Sequence, residues 1–174
     1  MEPTKKEKFI RVIDEHKRII YKIVNSYCPQ REDRKDLEQE IVIQLWNAFD
    51  NFNPQYKFTT WMYRIALNTA ISFYRKEKKW YQRNDFFNDE SVFRLEDGNT
   101  GEDLELSANV KLLQEFIQKL KELDKAIMLL YLEENSYEEI ADILGISATN
   151  VGTKIGRIKI KIKKEFDKIN NHGR

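Results

Sequence analysis

The chain has 174 residues, of which 41% are apolar and 34% charged, enough for one domain or two small ones with a strongly charged surface. Lys and Arg number 30 against 29 Asp and Glu, so the formal net charge of +1 predicts no partner. The single cysteine, Cys28, and the two histidines, His16 and His172, argue against a disulfide framework and against a metal site. No apolar run reaches the length of a membrane span, and the first residues lack the apolar stretch of a signal peptide. We therefore expect a cytoplasmic protein that needs no cofactor and does not insert into a membrane.

Two amphipathic helices are predicted in the first fifty residues or so, from Phe9 to Tyr27 and from Asp33 to Phe49. On the second helix Asp36, Gln39 and Glu40 lie at positions i, i+3 and i+4, so they share one polar, acidic face. Most such faces are only solvated surface, and the residue pattern alone favours that interpretation. The functional alternative is a docking face for a basic partner.

A loop rich in Asn, from Asp50 to Lys57, leads into a third helix in which aromatic and basic side chains interleave. Basic side chains follow phosphates, and aromatic faces stack on unpaired bases, so this combination suits single-stranded nucleic acid. The alternative is a buried aromatic cluster with a solvated cationic rim, which this stretch alone slightly favours. One polar stripe of the helix consists of Arg64, Asn68, Arg75 and Lys79.

Helical periodicity fails from Gln82 to Glu105, where acidic residues, Gly98 and Gly101 predict a flexible acidic linker. The linker divides the chain into an N-terminal domain, residues 1–81, and a C-terminal domain, residues 106–174. The predicted fold is all-α, with two small helical domains joined by the linker, residues 82–105, and the second domain ending in a helix-turn-helix.

The second domain is predicted to contain helices from Leu106 to Lys121 and from Leu123 to Leu132, followed by the helix-turn-helix. Ser136 and Glu139 form a capping box that begins a short helix, and Gly145 is placed to end it. The last helix carries an apolar stripe and a basic stripe, and in this motif the beginning of that helix reaches base edges in the major groove. The alternative, a helical hairpin with a solvated basic face, is disfavoured because caps, turn and stripe agree. The candidate DNA contacts are Ser147, Thr149, Asn150, Thr153, Lys154, Arg157 and Lys161.

Segments of both halves resemble one family, the extracytoplasmic-function (ECF) group of bacterial RNA polymerase sigma factors. The segment Asp36 to Glu40 (DLEQE) is similar to the family's D-L-x-Q-E, and Phe58 to Ala66 (FTTWMYRIA) resembles its F-x-T-W-L-x-R-I-A. Ser136 to Ala141 (SYEEIA) is close to the family's S-Y-E-E-I-A. The adjacent Trp pair of housekeeping sigma factors is absent from the sequence, which suits the ECF group.

The resemblance implies a role for each segment. Asp36, Gln39 and Glu40 would dock on the clamp helices of the largest polymerase subunit. The loop from Asp50 to Lys57 would capture a flipped-out base of the non-template strand, and the last helix would read the minus-thirty-five element. The resemblance, together with the aromatic and basic pattern of the loop and the third helix, gives the expected contacts to the minus-ten element. They are Asn51, Asn53, Tyr56, Lys57, Thr60, Trp61, Arg64, Asn68, Arg75 and Lys79.

Two departures from the family pattern limit what the resemblance carries over. Ser72 stands where the family usually has an acidic residue. The last helix reads Thr149 to Lys154 (TNVGTK) where G-T-V-K-S-R is common, so the family's base preferences are not transferred to it.

The sequence is therefore expected to encode a promoter-specificity subunit that binds core RNA polymerase, recognises and melts promoter DNA, and performs no catalysis itself. The resemblance implies an anti-sigma factor as a further partner, although no residue identifies one. One alternative is a stand-alone helix-turn-helix regulator, which leaves the region around Trp61 unexplained. The other is a phosphoryl-transfer enzyme, for which the sequence offers no metal-ligand cluster, Gly-rich phosphate loop or nucleophile-base pair.

Overall fold

A computed structural model describes residues 3–28, 31–83 and 104–172. The chain divides into two compact units, Met1–Glu96 and Asp97–Arg174. The described residues form seven α-helices and no strand, so the predicted all-α fold is confirmed. Of the predicted linker, only its first two and last two residues are described, and these continue the neighbouring helices. No helix in these ranges is long and apolar enough to cross a membrane.

The first unit contains three long helices, α1 (Lys5–Tyr27), α2 (Arg31–Ala48) and α3 (Phe58–Arg83), with a short 3-10 helix, Phe49–Asn51, after α2. Each long helix packs against the other two, so the three enclose one core. Helix α1 begins four residues before the predicted start, because Thr4 and Glu7 form a capping box that the prediction missed. The core side chains are Phe9, Ile20, Ile23, Val24, Tyr27, Leu37, Ile41, Leu45, Met62, Tyr63, Ala66, Leu67 and Ala70.

Helix α3 buries a stripe that contains two alanines, Ala66 and Ala70, both fully buried. Small side chains at these positions let α3 approach its neighbours closely, and Met62 and Leu67 fill the space beside them with no exposed surface. Each fully buried Leu or Met stabilises the fold by about 1.5–3 kcal/mol. The buried stripe directs the opposite side of α3 to the surface of the unit.

The second unit contains α4 (Leu104–Gln118), α5 (Glu122–Leu132), α6 (Tyr137–Leu144) and α7 (Ala148–His172). The predicted end of α4 at Lys121 is wrong by three residues. The N–H groups of Lys119 and Leu120 donate to carbonyls three residues earlier, which tightens the last turn, and Lys121 is extended and begins α5. The core side chains are Ile117, Ala126, Ile127, Met128, Leu130, Ile140, Ile143, Val151, Ile155 and Ile158.

The turn between α6 and α7 has the geometry that its residues predict. Ser136 and Glu139 form the capping box of α6, and Gly145 ends the helix at a φ of 68°, in the left-handed region that favours glycine. The Asn150 N–H donates to the Ser147 Oγ at 3.1 Å, so Ser147 caps α7. The predicted caps of the helix-turn-helix are confirmed, and they fix the angle at which α7 leaves α6.

Candidate functional site

The outward side of α2 carries the predicted docking residues. Asp36 and Gln39 are exposed, while Glu40 is half-buried and its Oε1 accepts a hydrogen bond from Gln44 Nε2 at 2.8 Å. The opposite side of the helix is fully buried through Leu37, Ile41 and Leu45. Core packing therefore turns the acidic side of α2 toward solvent.

Two further carboxylates extend this acidic face, and the sequence analysis missed both as part of it. Burial raises the pKa of Glu77 on α3, and the charges of Asp33 and Asp36 on α2 raise it further. Burial also raises the pKa of Asp33, with added repulsion from Asp36 and Glu32. The packing of α3 against α2 brings Glu77 to this face, so residue spacing within α2 gave no signal for it, whereas Asp33 lies on α2 itself, three residues before Asp36.

The loop that precedes α3 is held by its own hydrogen bonds. The Gln55 N–H donates to the Asn53 Oδ1 at 3.0 Å, and the Tyr56 N–H donates to the Asn53 carbonyl at 3.1 Å. This Asx turn leaves the Tyr56 ring 64% exposed. The loop therefore presents an aromatic face to solvent next to the exposed side chains of Asn51 and Lys57.

Trp61 lies in an aromatic cluster and is half-buried. Its ring centroid is 5.1 Å from Phe58, 5.4 Å from Phe52 and 6.5 Å from Phe49. These rings come from both ends of the loop, so the cluster joins the end of the 3-10 helix to the start of α3. The structure thus gives Trp61 an internal role, as in the alternative interpretation of this stretch, whereas Tyr56 keeps the exposed face.

Helix α1 supports the same region from two points. The His16 ring stacks on Phe58, with centroids 5.3 Å apart and an interplanar angle of 28°. Lys5 Nζ donates to the Asp50 carboxylate at the start of the loop and lies 4.4 Å from the centre of the Trp46 ring. Both ends of the loop are therefore fastened to α1.

The polar stripe of α3 is exposed as predicted, through Arg64, Asn68, Arg75 and Lys79. Thr60, the remaining predicted contact in this helix, is half-buried. The stripe begins at Arg64 in the second turn of α3, eight residues after the exposed Tyr56, and runs along the helix. This arrangement provides a stacking face and a cationic track on one unit.

Six of the seven residues predicted in the last helix-turn-helix are exposed: Ser147, Thr149, Asn150, Thr153, Arg157 and Lys161. The exception is Lys154, whose Nζ donates to Asp124 Oδ1 at 2.7 Å, with 29% and 20% of the two side chains exposed. This pair fastens α7 to α5. Lys154 therefore positions the helix, and the other six residues form its outward surface.

A second side of α7 carries contacts that the sequence pattern did not reveal. Lys159 Nζ donates to the Tyr131 hydroxyl at 2.6 Å, which raises the pKa of Lys159. A Cβ added at Gly152 would lie 3.3 Å from the ring of Tyr137, so the glycine makes room for that ring. These contacts pack the N-terminal half of α7 against α5 and α6.

Within the described ranges no cluster of three or more His, Cys, Asp or Glu side chains could hold a metal ion.

Comparison with known proteins identifies relatives of both units. Two family models match, Sigma-70 region 2 over residues 12–80 and Sigma-70, region 4 over residues 111–162. RNA polymerase sigma factor YlaC of Bacillus subtilis (strain 168) is 30% identical over 161 residues, which cover 90% of this chain and 92% of YlaC. ECF RNA polymerase sigma factor SigW of the same organism is 30% identical over 170 residues, which cover 91% of this chain and 88% of SigW.

The fold also matches a solved structure, the sigma factor RpoE in complex with the anti-sigma factor NepR from Bartonella quintana. The TM-score is 0.72 at 20% identity, and the match covers 92% of this chain and 97% of RpoE. At this identity the likeness establishes the shared fold.

The raised carboxyl pKa values of the acidic face predict a stability effect with a defined pH dependence. A raised pKa means that charged Glu77 destabilises the folded state at pH 7, and that this effect is lost as the pH falls through the raised pKa and is gone below the ordinary value of 4.5. Glu77→Gln should therefore increase the free energy of unfolding at pH 7 by no more than about 0.5 kcal/mol, because solvent screens partly exposed charges. Urea denaturation at pH 7 and pH 4 measures the gain, which should vanish at the lower pH.

Glu15→Gln, an exposed carboxylate on α1, serves as the matched control and should show no such gain. A Glu77→Gln variant that is no more stable than the wild type at pH 7 would show that the charged Glu77 carboxylate does not destabilise the fold.

Proposed function

The chain belongs to the ECF group of RNA polymerase sigma factors and is therefore a promoter-specificity subunit of RNA polymerase, and we propose that its two units divide the work of promoter recognition. The unit Met1–Glu96 docks on core polymerase and opens the minus-ten element, and the unit Asp97–Arg174 holds the minus-thirty-five element. The observation that carries this proposal is that exposed acidic and basic residues lie on different helices. The exposed face of α2 is acidic, and those of α3 and α7 are cationic and polar. A stand-alone regulator is not favoured, because Sigma-70 region 2 matches the first half of the chain.

Docking is assigned to the acidic face of α2, with Asp36, Gln39 and Glu40 as the contacts. An outward acidic face attracts a basic partner surface over several ångströms and orients it before contact. The hydrogen bond from Gln44 holds the Glu40 carboxylate in place on the face, which reduces the side-chain entropy that binding would remove.

Opening of the minus-ten element is assigned to the loop and to the polar stripe of α3. Tyr56 stacks on an unpaired base of the non-template strand, while Asn51 and Asn53 supply hydrogen-bonding groups beside it. Arg64, with Asn68, Arg75 and Lys79 beyond it, follows the phosphates of the same strand. Trp61 acts indirectly, since its contacts with Phe52 and Phe58 hold the loop in the conformation that presents Tyr56.

Duplex binding at the minus-thirty-five element is assigned to α7. Thr149, Asn150 and Thr153 lie in its first two turns, where a recognition helix reaches base edges. Arg157 and Lys161 lie further along the helix and contact phosphates. The ion pair of Lys154 with Asp124 sets the position of α7 on α5, so that these residues enter the groove together.

The chain itself performs no catalysis in this proposal, since RNA synthesis belongs to the polymerase. Core RNA polymerase works in the cytoplasm, and we assign the same location to this chain. The related RpoE was solved with the anti-sigma factor NepR, and we propose an anti-sigma factor as a partner here as well.

The docking assignment predicts that reversing two charges separates the chain from its polymerase. Asp36→Lys combined with Glu40→Lys places two cations opposite a basic surface, so co-purification with core polymerase should be lost. Circular dichroism should remain helical, because Asp36 is exposed and Glu40 half-buried. Asp14→Lys with Glu15→Lys makes the same charge change on the exposed surface of α1 and should leave polymerase binding intact. Retained binding by the α2 variant refutes the docking assignment.

The loop geometry predicts different outcomes for its two aromatic residues. Tyr56→Ala should slow open-complex formation by tenfold or more, since stacking contributes about 1–3 kcal/mol per base. Its melting temperature should not change, because the ring is 64% exposed, and Tyr56→Phe should restore the rate. Open-complex formation is measured on duplex promoter and on a promoter with a pre-melted bubble, which should rescue Tyr56→Ala.

Trp61→Ala should instead destabilise the unit, by up to about 3 kcal/mol, because three neighbouring rings lose their partner. The bubble should not rescue it. A stable Trp61→Ala variant that the bubble rescues would show that Trp61 itself contacts the melted strand.

The two kinds of contact on α7 are separable by mutation. Lys161→Ala removes a phosphate contact, so promoter binding by holoenzyme should weaken equally across sequences and the salt slope should fall by about 1. Asn150→Ala should relax discrimination at one or two minus-thirty-five positions, by about 1–3 kcal/mol each. Lys154→Ala serves as the comparison and should lower the stability of its unit more than the affinity. Identical behaviour of the first two variants would contradict the division between positioning and reading.

A further inference from the structure

Ile43 lies on the outward face of α2, about one turn after Glu40. It follows Gln39 by four residues and Glu40 by three, which places the three side chains on one face of the helix. Its side chain is 51% exposed, although the neighbouring Ile41 and Leu45 are fully buried on the other side. An apolar side chain therefore interrupts a face whose other predicted contacts are polar or acidic.

The exposed position gives Ile43 no evident structural task. Isoleucine is a weaker helix former than alanine, and an isoleucine half out of the core contributes only part of its burial energy. A single exposed apolar residue is ordinary on a protein surface and needs no explanation by itself. What distinguishes Ile43 is its surroundings, since the charged groups of the acidic face, Asp36 and Glu40, lie one to two helical turns before it.

An exposed apolar side chain next to exposed polar and charged ones has the composition of a protein–protein interface. Such interfaces exclude charged residues from the core and place them around the edge, and most binding energy comes from a few central side chains. Burial and neighbouring like charges raise the pKa values of Asp33 and Glu77, so an opposite charge on a partner would be favourable near them.

We propose that Ile43 is the apolar anchor of the polymerase-docking face and inserts into an apolar pocket on core RNA polymerase that basic side chains border. The inference rests on the proposed docking of α2 and adds a residue and a partner chemistry to it. The carboxylates orient the approach of the polymerase, and Ile43 slows its dissociation by removing apolar surface from water. Burial of Ile43 does not depend on ionic strength, whereas the attraction of exposed carboxylates is screened by salt.

The test measures the affinity of the full chain for core polymerase of the source organism at two salt concentrations. Ile43→Ala should weaken binding by about tenfold or more at both about 0.15 M and about 0.5 M salt, and Ile43→Leu should retain affinity within about threefold. The Asp36→Lys, Glu40→Lys variant should differ most from the wild type at the lower salt. Ile10→Ala, which truncates a 55% exposed isoleucine on α1, is the matched control and should bind as the wild type does.

The outcomes separate this inference from the docking assignment. If Ile43→Ala binds like the wild type while the charge-reversal variant does not, the anchor is refuted and the docking assignment stands. If neither substitution weakens binding, both are refuted. Thermal unfolding accompanies each measurement, and a weakened Ile43→Ala variant with an unchanged melting temperature supports the anchor. If the free wild-type chain dimerises and Ile43→Ala abolishes the dimer, the face serves a second copy of the chain and the proposal is overturned.

Discussion

Burial of one stripe on each long helix of the first unit determines which residues face solvent. Leu37, Ile41 and Leu45 have no exposed surface, and this alone turns the acidic side of α2 outward. A rotation of α2 by one residue, about 100°, would bring charged groups into the core, at several kcal/mol each after relaxation. The hydrophobic effect thus orients the docking surface without any contribution from the docking residues themselves.

Aromatic packing has the corresponding role for the loop before α3. The cluster around Trp61 draws rings from both sides of the loop, and α1 adds His16 and Lys5 from outside it. Backbone ordering costs roughly 1–2 kcal/mol per residue, so a loop ordered before DNA arrives loses less entropy on binding. Aromatic and basic residues therefore interleave in the sequence for two different reasons. Most of the aromatic rings pack together and hold the loop, whereas the basic residues face solvent.

The features that could be predicted from the sequence are the ones encoded by near neighbours. The capping box at Ser136, the left-handed Gly145 and the Ser147 cap depend on residues three or four positions apart, and all three are found in the structure.

The features that were missed depend on contacts between helices. The sequence places Lys154 on the basic stripe, but its partner Asp124 lies thirty residues away on α5. Glu77 joins the acidic face only because α3 packs against α2. Residue spacing alone could not show whether Trp61 faces solvent or packs in the aromatic cluster, because its spacing is compatible with either and the side chain is in fact half-buried.

The acidic face illustrates how binding and stability oppose each other on one surface. Burial raises the pKa values of Asp33 and Glu77 in the free chain, and the like charges around them, Asp36 among them, raise these values further. A cationic partner would oppose the second of these effects, since an opposite charge near Asp33 and Glu77 lowers their pKa values. Docking should therefore release protons in the carboxyl range, and affinity for polymerase should decline as the pH falls through that range, while the stability cost of Asp33 and Glu77 disappears. The proposed burial of Ile43 on docking does not depend on protonation. In the acidic range the apolar contribution to the binding energy should therefore persist after the electrostatic contribution has weakened.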